Sequence, residues 1–222
     1  MIPTGEVVTM VTDYLLAVTG FGAAMWLWKS ADGVPGRWWA VAFVATGVAA
    51  VLGGTSHGYA PVIDKQTHGL VWRLTYVTVG IANFCVLYGA ALAAVPRRLL
   101  RATAVVLLAR LLAVASALIV VAQFRYVLYD YAFTLVGLLA LAAALGARRR
   151  PGAGWVVAGV AASAIGAMVQ LTRVGQGRVL NHNDAFHVVQ AIGIALYARG
   201  GRQLGPRPAS RSRLIHEAGT IL

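Results

Sequence analysis

Long apolar segments recur along the whole chain, and they restrict it to folds that place those segments in a lipid bilayer. A helix crosses the hydrocarbon layer with about 20 mostly apolar residues. Of the 222 residues, 59% are hydrophobic and 12% are charged, whereas soluble domains are about 25% charged. Breaks rich in Gly, Pro and charge separate seven such segments, near residues 5–28, 38–60, 69–95, 98–123, 125–147, 153–174 and 183–199.

Each segment is predicted to be a helix, because backbone groups within lipid must form their hydrogen bonds inside the segment. The expected fold class is all-α, a polytopic seven-transmembrane helix bundle. We expect one membrane domain over residues 1–200 and a basic cytoplasmic tail over residues 201–222. The N-terminus carries Glu6 and lacks a basic region, so no cleavable signal peptide is predicted. The single cysteine, Cys85, cannot form an internal disulfide and is interpreted as a packed thiol.

The distribution of Lys and Arg predicts the orientation of the bundle, since cytoplasmic loops carry an excess of these residues. Basic residues concentrate on one side, for example Arg97, Arg98 and residues 148–150. That side should be cytoplasmic, with the N-terminus outside and the C-terminus inside the plasma membrane of a prokaryote. Topology also accounts for the net charge of +12, so membrane lipids rather than nucleic acid are the expected partners.

Polar side chains from five segments are predicted to lie at one depth, near the outer surface. The stretch "NHNDAFHVVQ", residues 181–190, opens the seventh segment. Ionisable groups inside a membrane are costly and usually face a bundle interior or a wet cavity, so agreement in depth between segments indicates a site. The candidate residues are Asp13, His57, Arg73, Tyr76, Asp130, His182, Asp184 and His187.

Histidines with carboxylate neighbours are typical of zinc sites, in which three protein ligands leave one position for water. The predicted zinc ligands are His57, His182 and His187. Zinc can lower the pKa of a bound water to about 7 and make it a nucleophile. A carboxylate would then orient or deprotonate that water. The catalytic candidates are Asp13, Asp184 and Asp130, and the candidates for substrate binding are Arg73 and Tyr76.

The order of these motifs resembles the CREST superfamily of seven-helix membrane proteins, which includes alkaline ceramidases and progestin/adipoQ receptors. The resemblance rests on "GGTSH", which gives His57, and "NDAFHVV", which gives His187. Gly53, Asn183 and Thr75 stand where that superfamily has a serine, a histidine and an aspartate. The resemblance implies a zinc-dependent membrane hydrolase that cleaves an amide or ester in a lipid.

Other interpretations of the same residues remain open. The protein could be a non-enzymatic sensor, scaffold or transporter whose histidines are satisfied by carboxylates and carbonyls. Asp184 could act near a helix N-cap, and Asp130 could form an ion pair with a membrane arginine such as Arg110. A haem held by His57 and His187 ranks last. A retinal protein is disfavoured because both lysines fall in predicted loops.

Overall fold

The computed structural model describes residues 4–31, 33–173 and 180–205, and these residues form helices and their connections without any strand. The predicted all-α class and the number of helices are confirmed, and every helix begins and ends within about one turn of its predicted bounds. The predicted tail lies outside the described residues from position 206 onward. The helices are α1 (Thr4–Ser30), α2 (Val34–Tyr59), α3 (Lys65–Ala94), α4 (Arg97–Val121), α5 (Phe124–Ala147), α6 (Ala153–Thr172) and α7 (His182–Arg202).

Local sequence determines where the helices begin. Gly33, with φ of 102°, precedes α2 and adopts a backbone conformation that favours glycine. Asp64 caps α3 by accepting bonds of 2.9 Å from the backbone N–H groups of Gln66 and Thr67. The Thr67 hydroxyl donates to the same carboxylate, and these donors lower the pKa of Asp64 from its usual value.

Six helices form a closed ring, and the fourth lies outside it. Each ring helix contacts the next one in the order α1, α2, α3, α5, α6 and α7, and α7 contacts α1. Helix α4 contacts α3 and α5 and buries only Leu107 and Leu118 along its whole length. Its other side carries exposed apolar residues such as Val105, Leu112 and Val120. This arrangement suits a helix that faces lipid, and it leaves the interior to the six ring helices.

Six of the seven helices are long and apolar enough to cross a bilayer, as an integral membrane protein requires. They are α1 to α6, while α7 falls short by composition. Its first two turns hold His182, Asn183, Asp184 and His187, which lower its apolar content. These polar residues lie where α7 packs against α1 and α6, and Asp184 and His187 are buried.

Aromatic side chains fill the interior of the ring at the end where α2 begins and α7 ends. Trp39 is fully buried there and makes edge contacts with Tyr197 and Phe43, at centroid distances of 5.6 and 6.4 Å. A side chain at Gly201 would lie about 2.8 Å from the Trp39 ring, so glycine lets the end of α7 approach the indole closely. We call the opposite end, where α1, α3, α5 and α7 begin, the polar end.

Candidate functional site

At the polar end, α1 and α7 bring a carboxylate and an imidazole together. Nε2 of His187 lies 3.2 Å from Oδ1 of Asp13, and both side chains are buried. The other ring nitrogen, Nδ1, lies 3.0 Å from the hydroxyl of Thr12. Asp13 Oδ2 is buried and has no hydrogen-bond partner among the described residues. The pair therefore presents a carboxylate oxygen that is free to accept a hydrogen bond.

Asp184 lies next to this pair and forms hydrogen bonds that connect α1 with α7. Its Oδ1 accepts hydrogen bonds from Thr9 at 2.9 Å and from Thr12 at 3.3 Å, both on α1. Its Oδ2 accepts from the backbone N–H of Asn181 at 2.7 Å, which completes a capping box at the start of α7. Hydrogen-bond donors therefore reach both oxygens of this carboxylate. Asp184 therefore joins α1 to α7, in addition to the N-cap role that the sequence left open.

His57 reaches the same region from the last turn of α2. Its Nδ1 lies 2.7 Å from Oε2 of Glu6, which is half-exposed at the start of α1. The His57 ring also packs edge-on against Trp72, with centroids 5.3 Å apart. Trp72 in turn donates a hydrogen bond of 3.2 Å to Nε2 of His68. His57 is thus held between a carboxylate and an indole at the mouth of the bundle.

A cavity of about 260 Å³ runs inside the ring, and His57, Asp13 and His187 line it. We call these three residues the outer cluster. The cavity wall is mostly apolar, with Leu16, Phe43 and other side chains from the ring helices. A shallow depression outside it is lined by Glu6, His68, His57 and Trp72, and the last two belong to both. The outer cluster therefore lies at the polar end of this mostly apolar cavity, which we also call the chamber, and next to a depression at the surface.

Small residues of α2 make room for the outer cluster. A side chain built at Gly53 would lie 3.5 Å from both Asp13 oxygens, and one at Gly54 would lie 2.9 Å from Asp13 Cβ. Gly53 lies one helical turn before His57, on the same face of α2. The Asp13 carboxylate thus lies against Gly53 of α2.

A further candidate, Asp130, has partners that explain it without a role in chemistry. Asp130 pairs with Arg110, whose Nε donates to Oδ1 at 2.8 Å, and accepts a bond of 2.6 Å from Asn83. Arg110 also donates to the Thr134 hydroxyl at 2.9 Å. This network ties α4 to α3 and α5. Among the described residues, those that line the cavity do not include Asp130.

The remaining predicted residues divide between the cavity wall and its surroundings. Tyr76 lines the cavity, as does its neighbour Thr75. Among the described lining residues, neither Arg73 nor His182 appears, although Arg73 Nε and His182 Nδ1 are buried. Asn183 does line the cavity and accepts a bond of 2.9 Å from Gln170. The structure thus brings together Asp13, His57, His187 and Tyr76 and leaves the other candidates around them.

The described side chains differ from the donor set of a zinc site. Within the described part of the chain, no three His, Cys, Asp or Glu side chains group closely enough to hold a metal ion. His57 and His187 share the cavity wall, but His182, the third predicted ligand, lies outside it. The described residues therefore do not form the tetrahedral three-histidine site that the sequence predicts, and zinc stays a prediction.

Sequence reasoning did not identify Glu6 and Thr12 as partners of the histidines. Glu6 precedes Asp13 by seven residues, so the two share one face of α1, and that spacing could have placed Glu6 beside the site. Thr12 gave no comparable signal. Its hydroxyl contacts His187 because of the packing of α7 against α1, which periodicity within one helix does not reveal.

Comparison with known families places almost the whole chain in one of them. Residues 8–206 match a family described as a family of unknown function (DUF6962). This chain belongs to that family. No curated protein and no solved structure matches it.

Proposed function

We propose that this protein binds a lipid-like molecule inside the ring, with the polar head of that molecule at the outer cluster and its apolar part along the chamber. One observation carries the proposal: the Asp13–His187 pair lies in the wall of a mostly apolar cavity. Ligand sites are commonly concave and apolar with a few polar groups that fix orientation. This is the non-enzymatic alternative of the sequence analysis, made specific by the chamber.

The chemistry of the outer cluster indicates what kind of head group fits. Asp13 Oδ2 is a buried acceptor without a partner in the described chain, so it favours a hydrogen-bond donor such as a hydroxyl or an amide N–H. A buried polar atom without a partner costs free energy, and a donor from a bound molecule would remove that cost. Both histidines have carboxylate partners, at 2.7 Å from Glu6 and 3.2 Å from Asp13, as the alternative predicts.

Binding can be tested with a ten-carbon primary alcohol and native mass spectrometry of the purified protein in detergent. We expect saturable binding to the wild type and about tenfold weaker binding to Asp13→Leu, because one hydrogen bond to the buried Asp13 carboxyl group is lost. Asp64→Ala removes an exposed carboxylate at the start of α3, outside the cavity, and should bind like the wild type. Equal binding by the wild type and Asp13→Leu would contradict the proposal.

A second candidate is a metal-dependent hydrolase that cleaves a lipid amide or ester, as the resemblance to the CREST superfamily implies. The observation that favours it is that His57 and His187 line one cavity together with the Asp13 carboxyl group, because imidazoles and carboxylates are the usual ligands of zinc. Elemental analysis of the purified protein tests it. Stoichiometric zinc that is lost in His57→Ala/His187→Ala supports the hydrolase, and metal-free protein with unchanged stability in that variant counts against it.

The proposal includes a seventh span and an orientation. Helix α7 has 21 residues, enough to cross the hydrocarbon layer, and packing between α6 and α1 supports that position. The excess of Lys and Arg near the end opposite the polar end favours a cytoplasmic location for that side. The outer cluster would then open toward the exterior of a prokaryotic plasma membrane.

A further inference from the structure

We infer that the cavity contains a second polar subsite, deeper than the outer cluster, which binds a neutral oxygen function on the far part of the same molecule. The inference rests on the proposed function, since it concerns the ligand of that chamber. The subsite consists of Tyr131, Ser163, Gln190 and Tyr197, which come from α5, α6 and α7 and all line the cavity. We call these four residues the inner cluster.

The inner cluster contains buried hydroxyls that form no hydrogen bond of ordinary length with other described residues. Ser163 is 1% exposed and Tyr197 is 8% exposed. The Ser163 hydroxyl lies between the Tyr131 and Tyr197 phenols, but neither it nor the Tyr197 hydroxyl has a described partner within 3.5 Å. Gln190 donates a bond of 2.7 Å to the Tyr131 hydroxyl, which holds that phenol at the cavity wall. Buried hydroxyls without partners are costly in an apolar surrounding. Two of them at one wall indicate that the contents of the cavity supply the partner.

The separation between the clusters sets the shape of the expected molecule. His187, Gln190 and Tyr197 lie on one face of α7, and ten residues separate the first from the last. At 1.5 Å per residue this is about 15 Å along the helix axis. A side chain built at Gly193 would lie 3.3 Å from Ser163 Oγ, so Ser163 lies about 9 Å below His187. The molecule should therefore carry two oxygen functions separated by an apolar part about 9–15 Å long.

The charge of the wall indicates that the far group is neutral. Among the described residues that line the cavity, the carboxylate and the imidazoles belong to the outer cluster. The inner cluster offers hydroxyl and amide groups, which can both donate and accept hydrogen bonds. A hydroxyl or a carbonyl oxygen satisfies them, whereas a charged group would lack a counter-ion. The ligand class is a neutral amphiphile with oxygen at both ends, such as a hydroxylated fatty or isoprenoid alcohol.

A competition between two probes of equal length tests the subsite. The probes are the ten-carbon terminal diol and the ten-carbon primary alcohol, and native mass spectrometry measures the ratio of bound diol to bound alcohol. We expect the wild type to prefer the diol by about fivefold, the worth of one hydrogen bond, beyond the twofold statistical factor of its two equivalent ends. In Ser163→Ala/Tyr197→Phe the preference should fall to the statistical value, while the alcohol still binds.

Controls separate this inference from the proposed function. Tyr14→Phe removes a phenol that pairs with Thr55 at 3.2 Å, outside the cavity, and should keep the preference for the diol. Equal occupancy by both probes in the wild type, after the statistical correction, overturns the subsite, because water alone then satisfies the inner cluster, and it leaves the proposed function standing. Failure of both probes to bind the wild type overturns the proposed function and the subsite together.

Discussion

Asp130 and Arg110 show how single residues account for much of the polarity in this bundle. The two form an ion pair between α5 and α4, with 3% and 14% of their side chains exposed. An ion pair of this kind contributes little relative to apolar residues, but the loss of one partner leaves a buried charge without compensation. The pair therefore explains why an arginine can lie near the middle of a membrane helix.

We expect Arg110→Met to lower the free energy of unfolding by about 3–5 kcal/mol, because the Asp130 carboxylate stays buried without its partner. The double variant Arg110→Met/Asp130→Asn should recover part of that loss. Equilibrium unfolding in mixed detergent micelles measures both. Arg98→Met removes an exposed charge at the start of the same helix and should change stability by less than about 0.5 kcal/mol. Equal effects at both arginines would contradict the assignment.

Asp184 has a structural role that can be separated from the chemistry of the outer cluster. Asn181→Ala removes one half of the capping box and the bond of 2.9 Å that Asn181 donates to Thr9 on α1, and should cost about 1 kcal/mol of stability. Asp184→Ala also removes the bonds from Thr9 and Thr12, so its cost should be larger, at about 2–4 kcal/mol. Unfolding by denaturant in micelles measures the difference. If Asp184→Ala cost no more than Asn181→Ala, the bonds that Thr9 and Thr12 donate to Asp184 would add no stability.

At the scale of helices, the approach of α1 to α2 depends on two adjacent glycines that face different neighbours. The three atoms nearest to a side chain at Gly53 all belong to the Asp13 carboxyl group, at 3.5–3.7 Å, which is ordinary contact. A side chain at Gly54 would lie 2.9 Å from Tyr14 and 3.1 Å from the backbone oxygen of Met10. The backbone oxygen cannot move without shifting α1. Position 53 therefore has room for a methyl group, whereas position 54 does not.

We therefore expect Gly53→Ala to be neutral or to stabilise the protein by up to about 1 kcal/mol, since alanine favours helix more than glycine does. Gly54→Ala should destabilise it by about 1–3 kcal/mol because of overpacking. The two variants are matched in chemistry and differ by one position. Thermal unfolding of both, monitored by circular dichroism, is the measurement, and a larger loss at Gly53 would contradict the described packing.

The helices themselves could be predicted from the sequence, whereas their order around the ring could not. Apolar runs bounded by Gly, Pro and charge define where a membrane helix begins and ends. The depth of Asp13, His57 and His187 followed from position within each run. Contacts between helices do not follow from such runs, so neither the exclusion of α4 from the ring nor the link from Glu6 to His57 was predicted. The inner cluster escaped notice because Ser163 and Tyr197 look ordinary in their own helices.

For the whole molecule, the proposed orientation predicts which loops are accessible from outside. Lys65→Cys and Arg149→Cys place single thiols at exposed positions at opposite ends of the bundle, and the native Cys85 is buried. A membrane-impermeant maleimide added to intact cells should label Lys65→Cys and should label Arg149→Cys only after lysis. The unaltered protein is the control. The reverse pattern would contradict the proposed orientation.

The most direct test of the proposed chamber is photo-crosslinking with a ten-carbon alcohol that carries a diazirine on its chain, followed by peptide mapping. The account predicts labels on cavity-lining residues such as Phe43, Val86 and Ile194, displaced by excess unlabelled alcohol and strongly reduced in Asp13→Leu. Labels confined to the outer face of α4, at residues such as Val105 and Leu112, and unaffected by that substitution would contradict it.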